Sequence, residues 1–301
     1  MNTPNIAMPE ENASRTIPFT RSFYWSVRRE FWENRLIYLA PLGAAAIFLV
    51  SFVINTMILR RRMHGVWPIA GHQHDALGLP YELAAALIMG IAMVVGIFYS
   101  LDALYGERRD RSILFWKSMP VSDLTTVLSK LAIPLAVIPV LSYAITLVTQ
   151  FIMLVLASAV LLGSGVNIAA MWTQQSFFRV SLDLFYHMLT VHGLWYAPLY
   201  GWLLLVSATA PRAPFVWATL PPFVIWGVEK MAFNTSHFLS FLEERLMGPS
   251  DPKMAMSQNG DFMSTLIPHH FFDQPGLWGG LAVAAVFIAI AVRVRRYRGP
   301  I

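Results

Sequence analysis

The feature that most constrains this chain of 301 residues is a series of long segments without Asp, Glu, Lys or Arg. Such segments occupy residues 36–59, 83–101, 131–178, 184–211, 213–228 and 274–292. A helix of about 20 apolar residues crosses the hydrocarbon core of a bilayer, and it satisfies its own backbone polar groups there. The sequence therefore predicts an all-α, polytopic membrane protein with six transmembrane helices.

The apolar segments set the approximate bounds of these helices. We place the six predicted spans at about residues 37–59, 82–104, 129–162, 189–210, 213–233 and 276–293. The third apolar segment is long enough for two spans, but LLGSG at 161–165 leaves a remainder that is too short to cross. We therefore interpret this segment as one long helix, which Pro134 and Pro139 kink near its start.

The fifth predicted span, 213–233, depends on where its charged end lies. It reaches the thickness of a bilayer only if Glu229 and Lys230 lie at the membrane interface. Charges near a span are functional candidates, but interfacial anchoring or a mutual salt bridge is the simpler interpretation of this pair. Pro221 and Pro222 remove two backbone donors in mid-span, and the resulting kink either lines a substrate pathway or shapes the packing.

Basic residues indicate the orientation of the chain. Six spans place both termini on one side, and Lys and Arg collect in the termini, in the loop after the second span and before the fifth. Cytoplasmic loops carry such an excess, although RRR at 60–62 is an exception here. We predict a multi-pass protein of a bacterial inner (plasma) membrane with both termini in the cytoplasm. The net charge of +5 is explained by this orientation and not by nucleic-acid binding.

The N-terminal region divides into two parts before the first span. Residues 1–20 are rich in Pro, Asn and Glu and are predicted to form a flexible cytoplasmic tail. Residues 21–35 combine aromatic and basic side chains at helical spacing, as amphipathic helices at the membrane interface do. This interfacial helix would place Arg28, Arg29 and Trp32 at the level of the lipid headgroups.

The predicted outer segments contain the histidines. Residues 163–188 and the outer loop 234–275 each include an amphipathic pattern, which predicts short helices on the outer face. All eight His residues fall in or beside the predicted outer segments, and His72 and His74 form a His-x-His pair that could chelate zinc or copper. No third ligand follows at a regular spacing, and the chain contains no cysteine. We therefore predict no metal site.

The loop at 105–122 concentrates charge between two apolar segments. Charged residues at this density cannot lie in hydrocarbon, so the loop is predicted to be solvated. Within it, SILFWKSM predicts a helix of about two turns with Ile113, Phe115 and Trp116 facing an apolar surface and Pro120 ending it. On composition alone, a loop retained in the cytoplasm by its positive charge, with its aromatic residues at the interface, is the simpler interpretation.

The order of residues in this region adds a resemblance. YGERRDRSILFWKSMPVSDLTTVLSK at 105–130 resembles the loop between the second and third spans in permease subunits of ABC type-2 transporters. In that family a Glu-Arg pair ends the second span, and a short coupling helix, a P-x-S turn and a Lys at the foot of the third span follow. The matching positions here are Glu107-Arg108, 112–119, 120–122 and Lys130. The six spans, the helix before the first span and the outer helices are similar as well.

The resemblance implies the permease subunit of an ATP-driven exporter. Its expected partners are two ABC ATPase subunits, which carry ATP and Mg, a second copy or paralogue of the permease, and membrane lipids. No cofactor on this chain and no nucleic acid is expected. The chain has no G-x-x-x-x-G-K-[ST] motif, so the loop that holds the phosphates would belong to another chain. The residues implied to couple to the ATPase are Glu107, Arg108, Arg109, Arg111, Ile113, Phe115, Trp116, Lys117 and Pro120.

Within that site, the apolar side chains of the short helix would fill a groove on the ATPase. Glu107 and the three arginines would make contacts at the rim of this groove and fix its register. Large apolar spans favour lipidic, hydrophobic or peptide cargo over a small ion.

Other functional classes stay open. A structural or regulatory membrane protein could bind a partner without transport, and a secondary carrier could work without an ATPase. An enzyme is not expected, because the sequence contains no G-x-S-x-G motif and no pair of acids within a predicted span.

Overall fold

The computed structural model describes residues 18–63, 73–119, 121–162, 172, 177–247 and 271–299, and its regular structure is helical throughout. These ranges contain α1 (Phe19–Glu33), α2 (Leu36–Met63), α3 (Gln73–Asp102), α4 (Tyr105–Arg109), α5 (Ser112–Ser118), α6 (Asp123–Ala132), α7 (Ile138–Leu161), α8 (Phe177–His187), α9 (Ala197–Thr209), α10 (Pro214–Phe233), α11 (His237–Met247) and α12 (Pro275–Tyr297). The predicted all-α class is confirmed.

Four stretches of helix are long and apolar enough to cross a membrane. They are Leu36–Ile58, Leu79–Arg109, Asp123–Val160 and Pro275–Tyr297. A fifth span results if Leu184–Trp195 and Ala197–Thr209, which meet at an angle of 44°, are taken as one bent span. Helix α10, which corresponds to the fifth predicted span, is not among the candidate spans of the described chain. The protein is therefore multi-pass, and its described residues form four to five candidate spans where the sequence predicts six.

Two π-helical turns interrupt the long helices. One, Ile133–Val137, joins α6 to α7 and contains Pro134, and the other, Met188–Trp195, joins α8 to α9. Proline has no N–H to close an α-helical turn, and a wider turn accommodates this loss. The helix of the third predicted span thus continues past Pro134.

The main core lies where α3, α6, α9 and α12 meet. It includes Leu104, Val127, Trp195, Tyr200 and Leu204, each of which is almost completely buried. Helix α9 packs against α12 and α3, while α2 packs against α3 and α7 and α1 lies along α6. Helix α9 therefore connects most of the long helices.

Helix α10 stands at the edge of this bundle. Over its whole length only Ala218 is buried, and its carbonyl accepts a hydrogen bond from the Trp202 indole at 3.1 Å. A largely apolar cavity of about 520 Å³ lies between α10 and the neighbouring α3, α9 and α11, with Phe215 and Pro222 in its wall. Because large apolar side chains on α10 are exposed, up to 90% for Met231, this helix presents an apolar face that no helix of the described ranges covers.

The end of α10 holds the start of α11. The Glu229 carboxylate accepts hydrogen bonds from the backbone N–H groups of His237, at 2.7 Å, and Phe238, at 2.9 Å, and from the Thr235 hydroxyl. These bonds satisfy donors that the first turn of a helix leaves free. Glu229 thus caps the next helix, a role that its predicted anchoring or pairing with Lys230 did not include.

A buried arginine fixes α11 to the last helix. The Arg245 guanidinium lies 4.1 Å from the centroid of the Trp195 ring and donates hydrogen bonds to the carbonyls of Trp195 and Gly276. Gly280 provides the space for this group, because a Cβ atom at that position would overlap the guanidinium. A side chain at position 280 would therefore force the Arg245 guanidinium to shift from its place on α12.

Substitution of this glycine tests the docking. We expect Gly280→Ala to lower the free energy of unfolding by about 1–3 kcal/mol, because the added methyl group displaces a buried cation from its partners. The unfolding midpoint of the purified protein in detergent measures this change. Gly279→Ala is the matched control, since a Cβ there meets no atom within 4 Å and alanine favours the helix. Equal midpoints for the two variants would contradict the proposed docking.

Candidate functional site

Six charged side chains from four helices meet beside the short helix α5. We call them the six-charge cluster, and its members are Arg29 and Glu30 of α1, Glu107 of α4, Asp123 and Lys130 of α6, and Arg295 of α12. Three are acidic and three are basic, and the exposed Glu33 adds a further carboxylate at the edge, 3.6 Å from Arg29 Nε. Asp123 and Arg29 are partly exposed, and the other four are buried.

Lys130 forms the centre of the cluster. Its ammonium nitrogen lies 2.8 Å from Glu30 Oε1 and 3.1 Å from Glu107 Oε1. The second oxygen of Glu107 accepts a hydrogen bond from Arg295, whose Nε lies 3.2 Å from Asp123 Oδ1. Each buried charge therefore contacts at least one group of opposite sign.

Glu30 is the most highly connected carboxylate of α1. It accepts hydrogen bonds from Lys130, from Arg29 and, at 2.9 Å, from the Tyr99 hydroxyl of α3. Burial raises the pKa of Glu30, but the Lys130 ammonium and the Arg29 guanidinium outweigh this effect and hold the pKa below its ordinary value of 4.5. The carboxyl group is therefore ionised at neutral pH.

The Arg108 guanidinium binds a different part of the protein. It donates hydrogen bonds to the carbonyl oxygens of Ser207, at 3.5 Å, and Ala208, at 2.6 Å. The hydroxyl group of Ser207 accepts from the backbone N–H groups of Leu104 and Tyr105. A cation at the C-terminal end of a helix satisfies carbonyls that have no partner within the helix. Arg108 thus fixes α4 to the end of α9.

Helix α5 divides its apolar side chains between two faces. Ile113 is 1% exposed and belongs to the interior, whereas Leu114 and Phe115 are 58% and 59% exposed. The Trp116 ring lies under the Arg29 guanidinium, 3.7 Å from ring centroid to carbon. Of the three residues predicted to face an apolar surface, Ile113 therefore faces the interior of this chain and Phe115 faces outward, because residues two positions apart lie on nearly opposite sides of a helix.

The end of α5 contacts the last helix. The Lys117 ammonium donates hydrogen bonds to the carbonyl oxygens of Arg296, at 3.4 Å, and Arg298, at 3.2 Å. Arg111, which precedes α5, has a φ of 58°, a left-handed conformation that turns the chain sharply between α4 and α5. The short helix is thus held at both ends.

Two further predicted site residues, Arg109 and Arg111, lie in and just after α4. Arg109 is exposed and pairs with Asp102 and Asp110, and Arg111 is exposed as well. Pro120 lies outside the described residues. The expectation that Glu107 and Arg108 make rim contacts with a partner needs correction, because both are buried and bound within the chain. Their desolvated charges need partners close by, and this chain itself supplies them.

A groove runs between α1 and α5. It has a volume of about 480 Å³, and Arg21, Trp25, Arg29, Trp116 and Met119 contribute to its walls. Both polar and apolar side chains line it. Trp116 also contacts the exposed Phe115, with 5.0 Å between the ring centroids.

The exposed side of α1 carries the other predicted interfacial residues. Arg28 lies between two aromatic rings, with its guanidinium 5.1 Å from the centroid of Trp25 and 4.5 Å from that of Trp32. Stacking of this kind places a cation beside apolar surface. Such a combination suits the membrane interface, where polar headgroups adjoin hydrocarbon.

Sequence reasoning missed several members of the cluster as site residues. Arg295 was counted only among the basic residues of the termini, and no site role was assigned to Glu30 or Asp123, nor to Tyr99, whose hydroxyl group donates to Glu30. Lys130, one of the few lysines of the chain, was indicated in part, because the resemblance includes a lysine at the foot of the third span. Glu30 and Lys130 are 100 positions apart and Glu107 and Arg295 are 188 apart, so no local spacing reveals these pairs.

Half of the eight histidines lie in the part of the chain that the structure describes. His64, His72, His269 and His270 lie outside the described residues. In the described chain no three His, Cys, Asp or Glu residues come close enough together to hold a metal ion. His187 and His192, which the sequence analysis assigned to outer segments or their borders, instead belong to the bent candidate span.

Comparison with profiles of known protein families, with curated protein sequences and with solved structures gives no match to this chain.

Removal of the central cation tests the cluster. We expect Lys130→Met to lower the free energy of unfolding by about 3–5 kcal/mol, because two buried carboxylates lose their common partner. Thermal unfolding in detergent measures the change. Lys230→Met, at an exposed lysine of α10, is the matched control and should have little effect. Adding Glu30→Gln to Lys130→Met should restore part of the loss, and strict additivity of the two changes would contradict the coupling.

The stability of the protein should also depend on pH through Glu30. Because the pKa of Glu30 is lower in the folded protein, its contribution is present above the unfolded pKa and is lost as the pH falls through the folded pKa. We expect the unfolding midpoint to fall below pH 4.5 and Glu30→Gln to flatten this fall. Glu33→Gln is the control on the same helix, since burial raises the pKa of Glu33. If both variants flatten the profile equally, Glu30 is not its source.

Proposed function

We propose that this chain is the permease subunit of an ATP-driven exporter of the ABC type-2 class. It forms the substrate pathway and has no ATPase site of its own. Two ABC ATPase subunits bind ATP and Mg and dock on the surface formed by α1 and α5. One observation carries this proposal, namely that a short helix presents Leu114 and Phe115 to solvent while its base is tied to the six-charge cluster.

The contacts of α5 support transmission of motion from such a partner. Trp116 links α5 to Arg29 of α1, and Lys117 links it to the end of α12. Glu107, on the adjoining α4, contacts both Lys130 and Arg295. Separating a buried ion pair is costly, so a displacement of α5 moves the ends of α1, α6 and α12 together. Closure of the ATPases on ATP supplies this displacement.

The substrate pathway forms between two permease copies, or between this chain and a paralogue. Support comes from α10, whose apolar side chains face outward and leave room for a partner or cargo. In this proposal α10 also crosses the membrane, as the fifth span in chain order, which brings the number of spans to six, and Pro221 and Pro222 shape the wall of the pathway. Lipidic, hydrophobic or peptide cargo suits such apolar walls better than a small ion.

The proposed orientation follows from the same site. The ATPases act in the cytoplasm, so α1, α5 and both termini lie on the cytoplasmic face of a bacterial inner membrane, and α11 lies on the outer face. The basic side chains around α1 and the end of α12 agree with this placement.

Two other classes give different outcomes in the same experiments. A scaffold or regulatory protein would bind a partner without ATP-dependent transport. A secondary carrier would follow an ion gradient and would work without an ATPase subunit.

Co-purification tests the docking surface. We expect the tagged chain, isolated from its native host, to retain a Walker-motif ATPase, and Leu114→Asp with Phe115→Asp to reduce the retained amount about tenfold or more, since charge in the centre of an interface removes its main contacts. Mass spectrometry and ATPase activity of the isolated complex measure this. The matched control is Phe241→Asp with Phe272→Asp, a similarly exposed pair. If no ATPase is retained by the wild type, or both double variants lose it equally, the proposal fails.

A further inference from the structure

The cavity behind α10 is lined almost entirely by apolar side chains. It lies between α10 and the helices α3, α9 and α11, has a volume of about 520 Å³, and includes Ile97, Leu203, Phe223 and Leu242 in its wall. Pockets that bind small molecules have volumes of about 300–1,000 Å³. The cavity is therefore large enough for a ligand, and the proposed docking of the ATPases does not use it.

Two polar side chains in the wall already have partners within the chain. The Trp202 indole N–H donates to the Ala218 carbonyl at 3.1 Å, and the Thr219 hydroxyl donates to the Phe215 carbonyl at 3.0 Å. A ligand with many polar groups would lose its hydrogen bonds to water here and find few replacements. Water is not held for the same reason, since a buried water molecule needs about two to four polar partners. The occupant that suits this wall is therefore apolar.

The cavity lies at the level of two candidate spans. Ile97 and Leu101 belong to the candidate span Leu79–Arg109, and Leu199 belongs to the bent candidate span. Hydrocarbon surrounds such spans in a bilayer. An empty cavity beside them would forfeit the dispersion contacts of its lining side chains, and a lipid tail that enters it restores these contacts.

The wall formed by α10 gives the length of the cavity. It extends from Phe215 to Trp226, 11 positions along the chain, which corresponds to about 16 Å along the helix axis. An acyl chain fills one leaflet, or about half of the roughly 30 Å thick hydrocarbon core. A helix from a partner does not fit, because a helix of this length and about 10 Å in diameter needs more than about 1,000 Å³. The dimensions thus match one acyl chain.

We propose that this cavity binds one acyl chain of a bilayer phospholipid, which lies along α10 and fills the gap between this helix and the bundle. Phe215 and Phe223 of the wall are 57% and 67% exposed, so the chain enters from the surrounding bilayer. The headgroup stays outside, because no charged side chain is found among the described lining residues. The bound chain supports α10, of which only Ala218 is buried. This proposal is independent of the ATPase docking and holds for a carrier or a scaffold as well.

Native mass spectrometry tests this site. The full-length chain is released in the mass spectrometer from nanodiscs of palmitoyl-oleoyl phosphatidylcholine, a lipid without net charge that basic side chains do not select. We expect the wild type to retain one phospholipid, identified by its mass. Thr219→Trp should lower the retained fraction about tenfold or more, because the indole ring occupies the cavity. The matched control is Leu220→Trp, at an exposed position of the same helix outside the cavity wall, which should retain the lipid as the wild type does.

Photochemical labelling locates the bound chain. Phosphatidylcholine with a diazirine on one acyl chain should label Leu203 in the wild type, since this residue is only 5% exposed and is reached through the cavity. The label at Leu203 should be absent in Thr219→Trp. If Thr219→Trp does not fold, Leu242→Trp fills the cavity from α11 and should give the same two losses. Retention of no phospholipid by the wild type, equal retention in the wild type and the cavity variants, or labelling confined to outer positions such as Leu220 would overturn the proposal.

Discussion

The structure depends on the pairing of buried charges beside α5. Lys130 lies between Glu30 and Glu107, and Arg295 binds the other oxygen of Glu107. An isolated charge in this surrounding would cost several kcal/mol, and neutral pairing removes most of that cost. The requirement fixes the relative positions of α1, α4, α6 and α12, because each of these helices supplies a charge that forms an ion pair with a charge on another of them. Hydrophobic packing alone is non-directional and would not specify these positions.

The same requirement gives a very short helix a defined place. Helix α5 has seven residues, and an isolated helix of this length is not stable in water. It is held by the buried Ile113, by Trp116 against Arg29 and by Lys117 at the end of α12. The side chains that remain exposed, Leu114 and Phe115, are therefore presented on a firm base. This combination of an exposed apolar pair and a rigid attachment suits a surface that receives force from a partner.

Local sequence patterns predicted the elements better than their roles. Apolar segments, helical spacing and the short SILFWKSM pattern correctly indicated helices, because these signals act within a few turns of chain. Assignment of side chains to faces was less successful, because Ile113 and Phe115 were assigned to one apolar face, whereas Ile113 is buried and Phe115 is exposed. Glu107 and Arg108 were expected to face a partner, but their charges are bound by helices far away in the sequence. Glu229 was interpreted as an anchor or as a partner of Lys230, and its capping of α11 was not foreseen, because the N–H groups that it accepts from belong to the next helix.

The sequence by itself determined that this is a helical protein of several apolar membrane-crossing segments, since hydrophobicity and helix formation are properties of neighbouring residues. Only the tertiary structure decided which charges are partners, because Glu30 and Tyr99 are 69 positions apart and Glu107 and Arg295 are 188 apart. It also decided that α10 stands away from α3 and α9 and leaves a cavity between them. Such arrangements arise from contacts between distant segments, and a single sequence contains no local signal for them.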